Sequence, residues 1–189
     1  TKEKISRLKN GDPIIYEPGL KELLQKNLAS KRISFTLDYE KAISESEIVF
    51  ITVGTPPKEN GEADLSAVIE VARNIGKNLK SKFTVVSCKS TVPVGTNRKL
   101  EVIISKHKPK QVDFAVASCP EFLREGTAIF DTINADRVVI GSDNKRAIEK
   151  LITLHQPING KRVITNLASA EMIKYASNVF LANKISFAN

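Results

Sequence analysis

The stretch FAVASCPEFLREGTA, residues 114–128, decides how this sequence folds. It opens with a short apolar run, interrupts that run at Cys119-Pro120 and continues with charged residues. This is the pattern of a parallel strand that ends in a loop, the place where open α/β sheets bind their ligands. If the residues after Pro120 form a helix, Glu121 and Glu125 lie four apart on one face. The alternative is a solvated helix start whose acids complement the helix dipole.

The surrounding composition is that of an ordinary globular protein. The chain has 189 residues, of which 41% are hydrophobic and 26% charged, enough for one well-buried domain and part of a second. No apolar run approaches the roughly 20 residues that a membrane span requires. The polar opening TKEK is not a signal peptide. We therefore expect a cytoplasmic protein with no membrane partner.

The charge and the cysteines exclude some classes of function. The formal charge is +8, but lysine and arginine are spread along the chain without an aromatic pattern, so we expect no nucleic-acid partner. An anionic small ligand or solubility explains the charge better. Cys88 and Cys119 are too few for a disulfide framework or a zinc site, and both follow strand-like runs. We expect two core thiols and no metal.

Helix-like and strand-like segments alternate along the chain without internal repeats. Helices are predicted over residues 1–8, 19–29, 39–44, 65–79, 96–106, 144–154 and from 168 onward. Strands are predicted over residues 33–36, 48–53, 83–87, 114–117, 137–140 and, most weakly, 162–165. Continuous apolar strands such as 48–53 indicate burial on both faces. The predicted class is α/β, a doubly wound parallel sheet covered by helices on both sides.

One expected feature of such a sheet is missing from the sequence. No strand carries a Gly-x-Gly-x-x-Gly turn, and the chain opens directly on helical, charged residues. We therefore expect the chain to be a piece of a longer protein.

Two further strand ends resemble the first. Residues 54–57, GTPP, follow one strand, and residues 89–96, KSTVPVGT, follow the next. Glycine allows the backbone to approach a ligand closely, and hydroxyls with free amides suit a pyrophosphate or a ribose. Each turn alone is typical of an ordinary connection to a helix. Three of them on successive strands favour a binding crevice.

The last helix carries a polar pair among apolar residues. Its apolar positions between residues 169 and 185 follow helical spacing, which predicts a largely buried helix. Lys174 and Asn178 lie four apart and project from the same face. A lysine on so apolar a helix must find a carboxylate or a ligand oxygen, or else reach solvent. Considered alone, it is expected to reach solvent; beside a carboxylate crevice, the pair becomes a candidate wall of an active site.

Five segments together resemble the UDP-glucose/GDP-mannose dehydrogenase family in order and spacing. They are Tyr16–Leu20, Val53–Pro56, Lys89–Thr96, Pro120–Gly126 and Lys174–Asn178. The resemblance implies a Rossmann-like NAD-binding domain over residues 1–165, incomplete at its N-terminus. Residues 166–189 would then begin a long central connecting helix through which the family forms homodimers. The C-terminal domain that binds the UDP-sugar and carries the nucleophilic cysteine would lie outside the chain.

The resemblance also implies an activity. Members of the family oxidise the primary alcohol of a nucleotide sugar to a carboxylate, through a cysteine thiohemiacetal and a thioester, and reduce two NAD. Covalent capture keeps the aldehyde from escaping. The expected substrate is UDP-glucose, which would give UDP-glucuronate. GDP-mannose and UDP-N-acetylmannosamine stay open, because the base is bound mainly by the domain outside this chain.

Motif positions imply the roles of the polar residues. Glu125 would contact the nicotinamide, and Thr91 would hold water or cofactor at the reacting carbon. Glu121 would act as acid and base through water in thioester hydrolysis. Lys174 and Asn178 would stabilise the developing alkoxide, as a cation and an amide donor do in an oxyanion site.

Other positions would bind substrate or cofactor without reacting. Phe122 and Leu123 would line the sugar subsite with their backbone facing the ligand. Thr55 and Ser90 would line the NAD crevice, and Lys4 would reach the adenosine ribose.

The sequence departs from the family at one position of the loop. Cys119 stands where the family usually has Asn, which removes an amide that could hold the loop. We expect the loop to be held less tightly there. Cys119 is not expected to be the nucleophile, because that cysteine belongs to the domain outside the chain.

Two other interpretations are compatible with the sequence. Dehydrogenases of small β-hydroxy acids also join a nucleotide-binding domain to a helix that bears Lys and Asn, but the loop with two glutamates argues against this class. The β-hydroxy acid dehydrogenases yield one NADH per substrate, whereas the sugar-nucleotide dehydrogenases yield two. The other interpretation is a non-catalytic nucleotide-binding fragment, and the 189-residue chain alone is expected to be inactive.

Overall fold

Strands and helices alternate strictly from residue 48 to the end of the chain. The computed structural model describes residues 1–80 and 83–189. The helices are α1 Lys2–Lys9, α2 Leu20–Ala29, α3 Tyr39–Ile43, α4 Ser66–Asn78, α5 Thr96–His107, α6 Ala128–Ile133, α7 Lys145–His155 and α8 Leu167–Ala188. The strands are β1 Ile48–Ile51, β2 Thr84–Cys88, β3 Phe114–Ser118, β4 Arg137–Gly141 and β5 Lys161–Thr165.

The five strands form one sheet in the order β1-β2-β3-β4-β5. Strands β1, β2 and β3 are parallel, and so are β4 and β5. The predicted parallel sheet is confirmed except between β3 and β4, which are antiparallel and meet at the pair Ser118 and Gly141. The reason is that the connection from β3 to β4 remains near the carboxyl end of β3 and does not cross the sheet. Strand β4 therefore starts beyond the end of β3.

Apolar side chains cover both faces of the sheet. On one face, helices α4 and α5 contribute Val68, Ile75, Leu100 and Ile104 to a core shared with β2 and β3. On the other face, Ala147 and Leu151 of α7 pack with alternate residues of the same strands. The α/β, doubly wound class that the sequence predicted is confirmed, because neighbouring residues along β2 and β3 enter opposite cores.

Two predictions about strands are wrong at the edge of the sheet. Residues 33–36 form no strand, because no described strand lies beside them to accept a ladder of hydrogen bonds. Strand β1 is not buried on both faces, since only Ile51 is fully buried and its other three residues are partly exposed. It is the edge strand of the described sheet, so fewer neighbours cover it.

Helix α8 is buried only over its first two turns. Its buried residues are Leu167, Ala170, Glu171 and Lys174, which face β3, β4 and α5. The prediction of a largely buried helix is therefore wrong for this chain. Beyond these turns α8 extends away from the sheet and exposes its large apolar residues, which are Val179, Phe180, Leu181, Ile185 and Phe187.

Both cysteines are core residues, as predicted. Cys88 ends β2 and Cys119 directly follows β3, and the Cys119 N–H donates to the Cys88 carbonyl at 2.9 Å. Burial raises the pKa of the Cys88 thiol to about 12 and raises the pKa of Cys119 as well. Both thiols are therefore protonated at neutral pH.

The described residues contain neither a membrane-spanning helix nor a cluster of metal ligands. No helix within residues 1–80 and 83–189 is both long and apolar enough to cross a membrane. In the same ranges, His, Cys, Asp and Glu side chains nowhere gather in a group of three that could hold a metal ion.

The contact of α8 with the end of β4 leaves no room for a side chain at Gly141. A Cβ atom there would lie 2.4 Å from Ala170 Cβ and 2.7 Å from the Asn166 carbonyl oxygen. We predict that Gly141→Ala lowers the free energy of unfolding by about 1–3 kcal/mol, because helix and strand must separate to relieve the overlap. Urea unfolding followed by circular dichroism measures this.

Gly54→Ala is the matched control for Gly141→Ala. A Cβ atom at Gly54 would meet no heavy atom within 4 Å, so this variant should unfold like the parent to within about 0.5 kcal/mol. Equal destabilisation by both variants would contradict the packing argument.

Candidate active site

The carboxyl ends of β1 and β2 are joined by hydroxyl groups. Thr55 Oγ1 donates to the Thr91 carbonyl oxygen at 2.8 Å. Ser90 Oγ donates to the Val53 carbonyl oxygen at 2.6 Å. The structure therefore brings Thr55, Ser90 and Thr91 together at one edge of the sheet, as the strand-end argument predicted.

Lys174 reaches from α8 to the end of β3. Its ammonium donates to the Glu121 carbonyl oxygen at 2.6 Å and to the Glu121 carboxylate at 3.1 Å. Only 7% of Lys174 is exposed, so the alternative in which this lysine reaches solvent is wrong. The other carboxylate oxygen of Glu121 accepts the Leu123 N–H at 2.6 Å. Glu121 is half-buried, and its carboxylate is oriented by the Lys174 ammonium and the Leu123 N–H.

The ring of Phe122 lies near two cations. The Arg137 guanidinium carbon is 4.3 Å and the Lys174 ammonium 5.3 Å from the ring centroid, both within cation–π range. Arg137 also donates to Ser177 Oγ on α8 at 3.2 Å. These contacts connect the loop after β3, the start of β4 and α8.

The loop after β3 is not helical, so the interpretation that placed Glu121 and Glu125 on one helical face is wrong. Helix α6 begins only at Ala128, and Gly126 adopts a left-handed φ of 83°. The carboxylate of Glu17 accepts the N–H groups of Gly126 at 2.8 Å and Ala128 at 3.1 Å. Glu125 is exposed, in an environment unlike that of Glu121.

A cavity of about 830 Å³ adjoins this loop. Its lining includes Lys89, Glu121, Phe122, Leu123, Arg137 and His155. Burial lowers the pKa values of Lys89 and His155, because it disfavours their charged forms. This size and this mixture of apolar and charged groups suit a small-molecule ligand.

Some of the residues predicted to act at the site lie outside this cavity. Thr55, Ser90 and Thr91 occupy the neighbouring loops, and Asn178 is exposed on α8 one turn beyond Lys174. Lys4 is exposed on α1, where its side chain makes no hydrogen bond or ion pair with the described residues. The structure therefore groups Lys174 with Glu121 and Phe122, and it leaves Lys4 and Asn178 apart.

Sequence reasoning missed the residues that hold the site together. In the sequence, Glu17 stands out only as part of a motif, and Arg137 only as the start of a strand. Glu17 contacts residues 109 and 111 positions away, and Arg137 contacts Ser177 40 positions away. A carboxylate next to a proline and glycine in the first motif was the available signal for Glu17. Nothing in the local sequence indicates the contacts of Arg137.

Known proteins resemble the chain along its whole length. The profile of the UDP-glucose/GDP-mannose dehydrogenase family, NAD binding domain, matches residues 1–159. UDP-glucose 6-dehydrogenase TuaD of Bacillus subtilis is 50% identical over 186 residues, which are 98% of this chain and 40% of that protein. UDP-glucose 6-dehydrogenase of Pseudomonas aeruginosa is 45% identical over 194 residues, or 100% of this chain and 43% of that protein.

Solved structures agree with these relatives. A UDP-glucose dehydrogenase from Pyrobaculum islandicum superposes with a TM-score of 0.97 at 43% identity, over 100% of this chain and 44% of that one. A GDP-mannose dehydrogenase from Pseudomonas aeruginosa gives 0.96 at 39% identity, over 100% and 44%. The chain spans about two fifths of the length of the curated relatives it matches. It belongs to the UDP-glucose/GDP-mannose dehydrogenase family and carries that family's NAD-binding domain.

Proposed function

We propose that the protein containing this chain oxidises the primary alcohol of UDP-glucose to the carboxylate of UDP-glucuronate in two NAD-dependent steps. The observation that carries the proposal is the buried ammonium of Lys174 bound to Glu121 at the carboxyl end of β3. A buried charge is unfavourable unless acceptors compensate it, and buried charged groups of this kind cluster at functional sites. The names of the relatives support the reaction and the substrate.

Lys174 supplies positive charge where the alcohol oxygen becomes negative. Its ammonium is shielded from water, so its interaction with a developing alkoxide is stronger than it would be in bulk solvent. Asn178 follows one helical turn later and adds an amide donor from the same helix. Together they would favour the charge distribution of the transition state over that of the bound alcohol.

Glu121 serves the hydrolytic half of the reaction. Its carboxylate is oriented by Lys174 and by the Leu123 N–H, so it can take a proton from a water that attacks a thioester. By the family resemblance, the cysteine that forms this thioester would lie outside the chain. Cys88 and Cys119 are buried and hold their protons because their pKa values are raised, whereas the nucleophile must be a thiolate.

The residues around the first two strand ends fit NAD, which accepts hydride when it is bound. The backbone at Gly54 is open, with no heavy atom within 4 Å of the position of a Cβ, so a ligand can approach it closely. Thr55, Ser90 and Thr91 would line the cofactor crevice, and Glu125 would contact the nicotinamide. Lys4 would reach the adenosine ribose.

The sugar would lie against the backbone of Phe122 and Leu123. The Phe122 ring is itself held near the Arg137 guanidinium and the Lys174 ammonium. Helix α8 would continue as the central connecting helix from residue 166. Its exposed apolar residues, among them Phe180 and Ile185, would form the contact between two subunits of a homodimer.

The stoichiometry of NADH tests the reaction. With limiting UDP-glucose and excess NAD, the full-length enzyme should release two NADH for each sugar, because both oxidations occur before the product leaves. The absorbance of NADH at the end point measures this ratio, with GDP-mannose as the parallel substrate. One NADH per substrate would contradict the proposal, and a ratio of two with GDP-mannose alone would assign a different base.

Replacing Lys174 tests the charge that carries the proposal. In the full-length enzyme, Lys174→Ala should lower turnover by roughly two orders of magnitude or more, because the alkoxide loses its cation. NAD binding, followed by fluorescence titration, should persist. Lys145→Ala removes an exposed lysine at the start of α7 and should leave turnover unchanged. Turnover of Lys174→Ala within a few-fold of the parent would refute the role.

The two glutamates should show separate functions. In Glu121→Gln, Lys174 keeps its bond to the backbone carbonyl of residue 121, so the change isolates the carboxylate. The thioester should then accumulate, and mass spectrometry should detect an adduct on the cysteine outside this chain.

Glu125→Gln is the paired variant, since its side chain is exposed and would act on the cofactor. It should slow hydride transfer in single-turnover experiments, with little adduct. Normal turnover without adduct in both variants would mean that this loop has no part in the chemistry.

A further inference from the structure

Glu171 is a buried carboxylate to which the proposed reaction gives no task. It lies on α8, three residues before Lys174, and only 3% of it is exposed. No lysine or arginine among the described residues forms an ion pair with it, although a buried charge requires compensation. The compensation comes from hydrogen-bond donors on another helix.

Three donors at the N-terminus of α5 converge on this carboxylate. One oxygen of Glu171 accepts the Gly95 N–H at 2.7 Å. The other accepts the Asn97 N–H and the Asn97 side-chain amide, each at 2.7 Å. Gly95 is the N-cap of α5 and has no side chain to bond the free N–H groups of the first turn. Glu171 acts as the missing cap from 76 residues away.

The side chain of Asn97 is oriented to donate to the Glu171 carboxylate, although its own oxygen then lacks a donor among the described residues. Asn97 is fully buried, and its amide group faces Glu171. As a result, its Oδ1 atom has no hydrogen-bond partner within the described ranges. Leaving a buried acceptor without a donor is unfavourable. The hydrogen bond from the Asn97 amide to Glu171 therefore contributes more free energy than is lost at Oδ1.

The same contact joins two parts of the candidate active site. Gly95 closes the loop that starts at Lys89 and carries Thr91, and α5 follows directly. One turn beyond Glu171, Lys174 binds Glu121 at the end of β3. The separation between the Thr91 loop and the Lys174 ammonium therefore depends on where the Glu171 carboxylate binds.

We propose that Glu171 is a positioning residue, which fixes the N-terminus of α5 and the Thr91 loop at their distance from Lys174. This inference rests on the proposed function, because it assumes that Lys174 acts in the reaction. Replacing a residue that served only as a structural cap would lower turnover by the same factor whether or not Lys174 were present.

A double-mutant cycle in the full-length enzyme separates these two roles. Glu171→Gln preserves the shape of the side chain but turns one terminal atom into a donor, which must then face an N–H group of α5. We expect turnover to fall by roughly tenfold with KM for the sugar nucleotide within about threefold. In the Lys174→Ala background the same change should lower turnover by less than about threefold, because the lysine to be positioned is gone.

Equal factors in the two backgrounds would overturn the inference and leave Glu171 as a structural cap. Asn97→Ala provides a second cycle, decisive if Glu171→Gln does not fold. It removes one of the three donors together with the unsatisfied Oδ1, and it leaves the two backbone N–H donors to Glu171 in place. It should reduce turnover by roughly threefold in the parent and have no effect beside Lys174→Ala. Equal factors here would overturn the inference as well.

Asn144→Ala is the matched control for loss of a cap. Asn144 caps α7 by accepting the Ala147 N–H at 3.0 Å, and it lines neither the cavity nor the strand-end loops. This variant should lower the midpoint of thermal unfolding without changing turnover. If Lys174→Ala retains parental turnover, the proposed function fails; if Lys174→Ala is impaired but the cycles are additive, only the role of Glu171 fails.

Discussion

The bond between Lys174 and Glu121 is the constraint on which the site depends. Burying an ammonium on an apolar helix is unfavourable unless acceptors meet it with good geometry, and Glu121 offers both its carbonyl and its carboxylate. This choice also determines the shape of the loop. In a helix, the Glu121 carbonyl would accept the N–H of residue 125. It accepts Lys174 instead, and the chain stays non-helical until α6 starts at Ala128.

The non-helical loop explains why two carboxylates four residues apart can have different chemistry. Glu121 is half-buried between Lys174 and the Leu123 N–H, whereas Glu125 faces solvent. Environment decides what a carboxyl group can do in a reaction, and two different environments allow two roles. A helical loop would have placed both groups on one exposed face, where neither would have had a partner that distinguishes it from the other.

Local patterns in the sequence predicted the elements but not their contacts. The elements β2, β3 and α5 could be recognised because the spacing of apolar residues and the length of an apolar run are local properties of the sequence. Residues 33–36 have the alternation of apolar and polar residues that is typical of a strand yet form none, because a strand also needs a neighbour. The convergence of Thr55 with Thr91 was predictable from parallel-strand geometry. The contacts of Arg137 were not, because they require β4 to begin beyond the end of β3.

Remote carboxylates replace local caps at both loops of the site. Glu17 bonds the first N–H groups around α6 across 109 and 111 residues, and Glu171 bonds those of α5 across 74 and 76. Neither helix has a side-chain cap from its own N-cap residue. A local cap stabilises its helix in isolation, whereas a remote one forms only when the domain is folded. The site loops are therefore ordered by the tertiary structure itself, so the energy of folding also orients the groups that would meet the ligand.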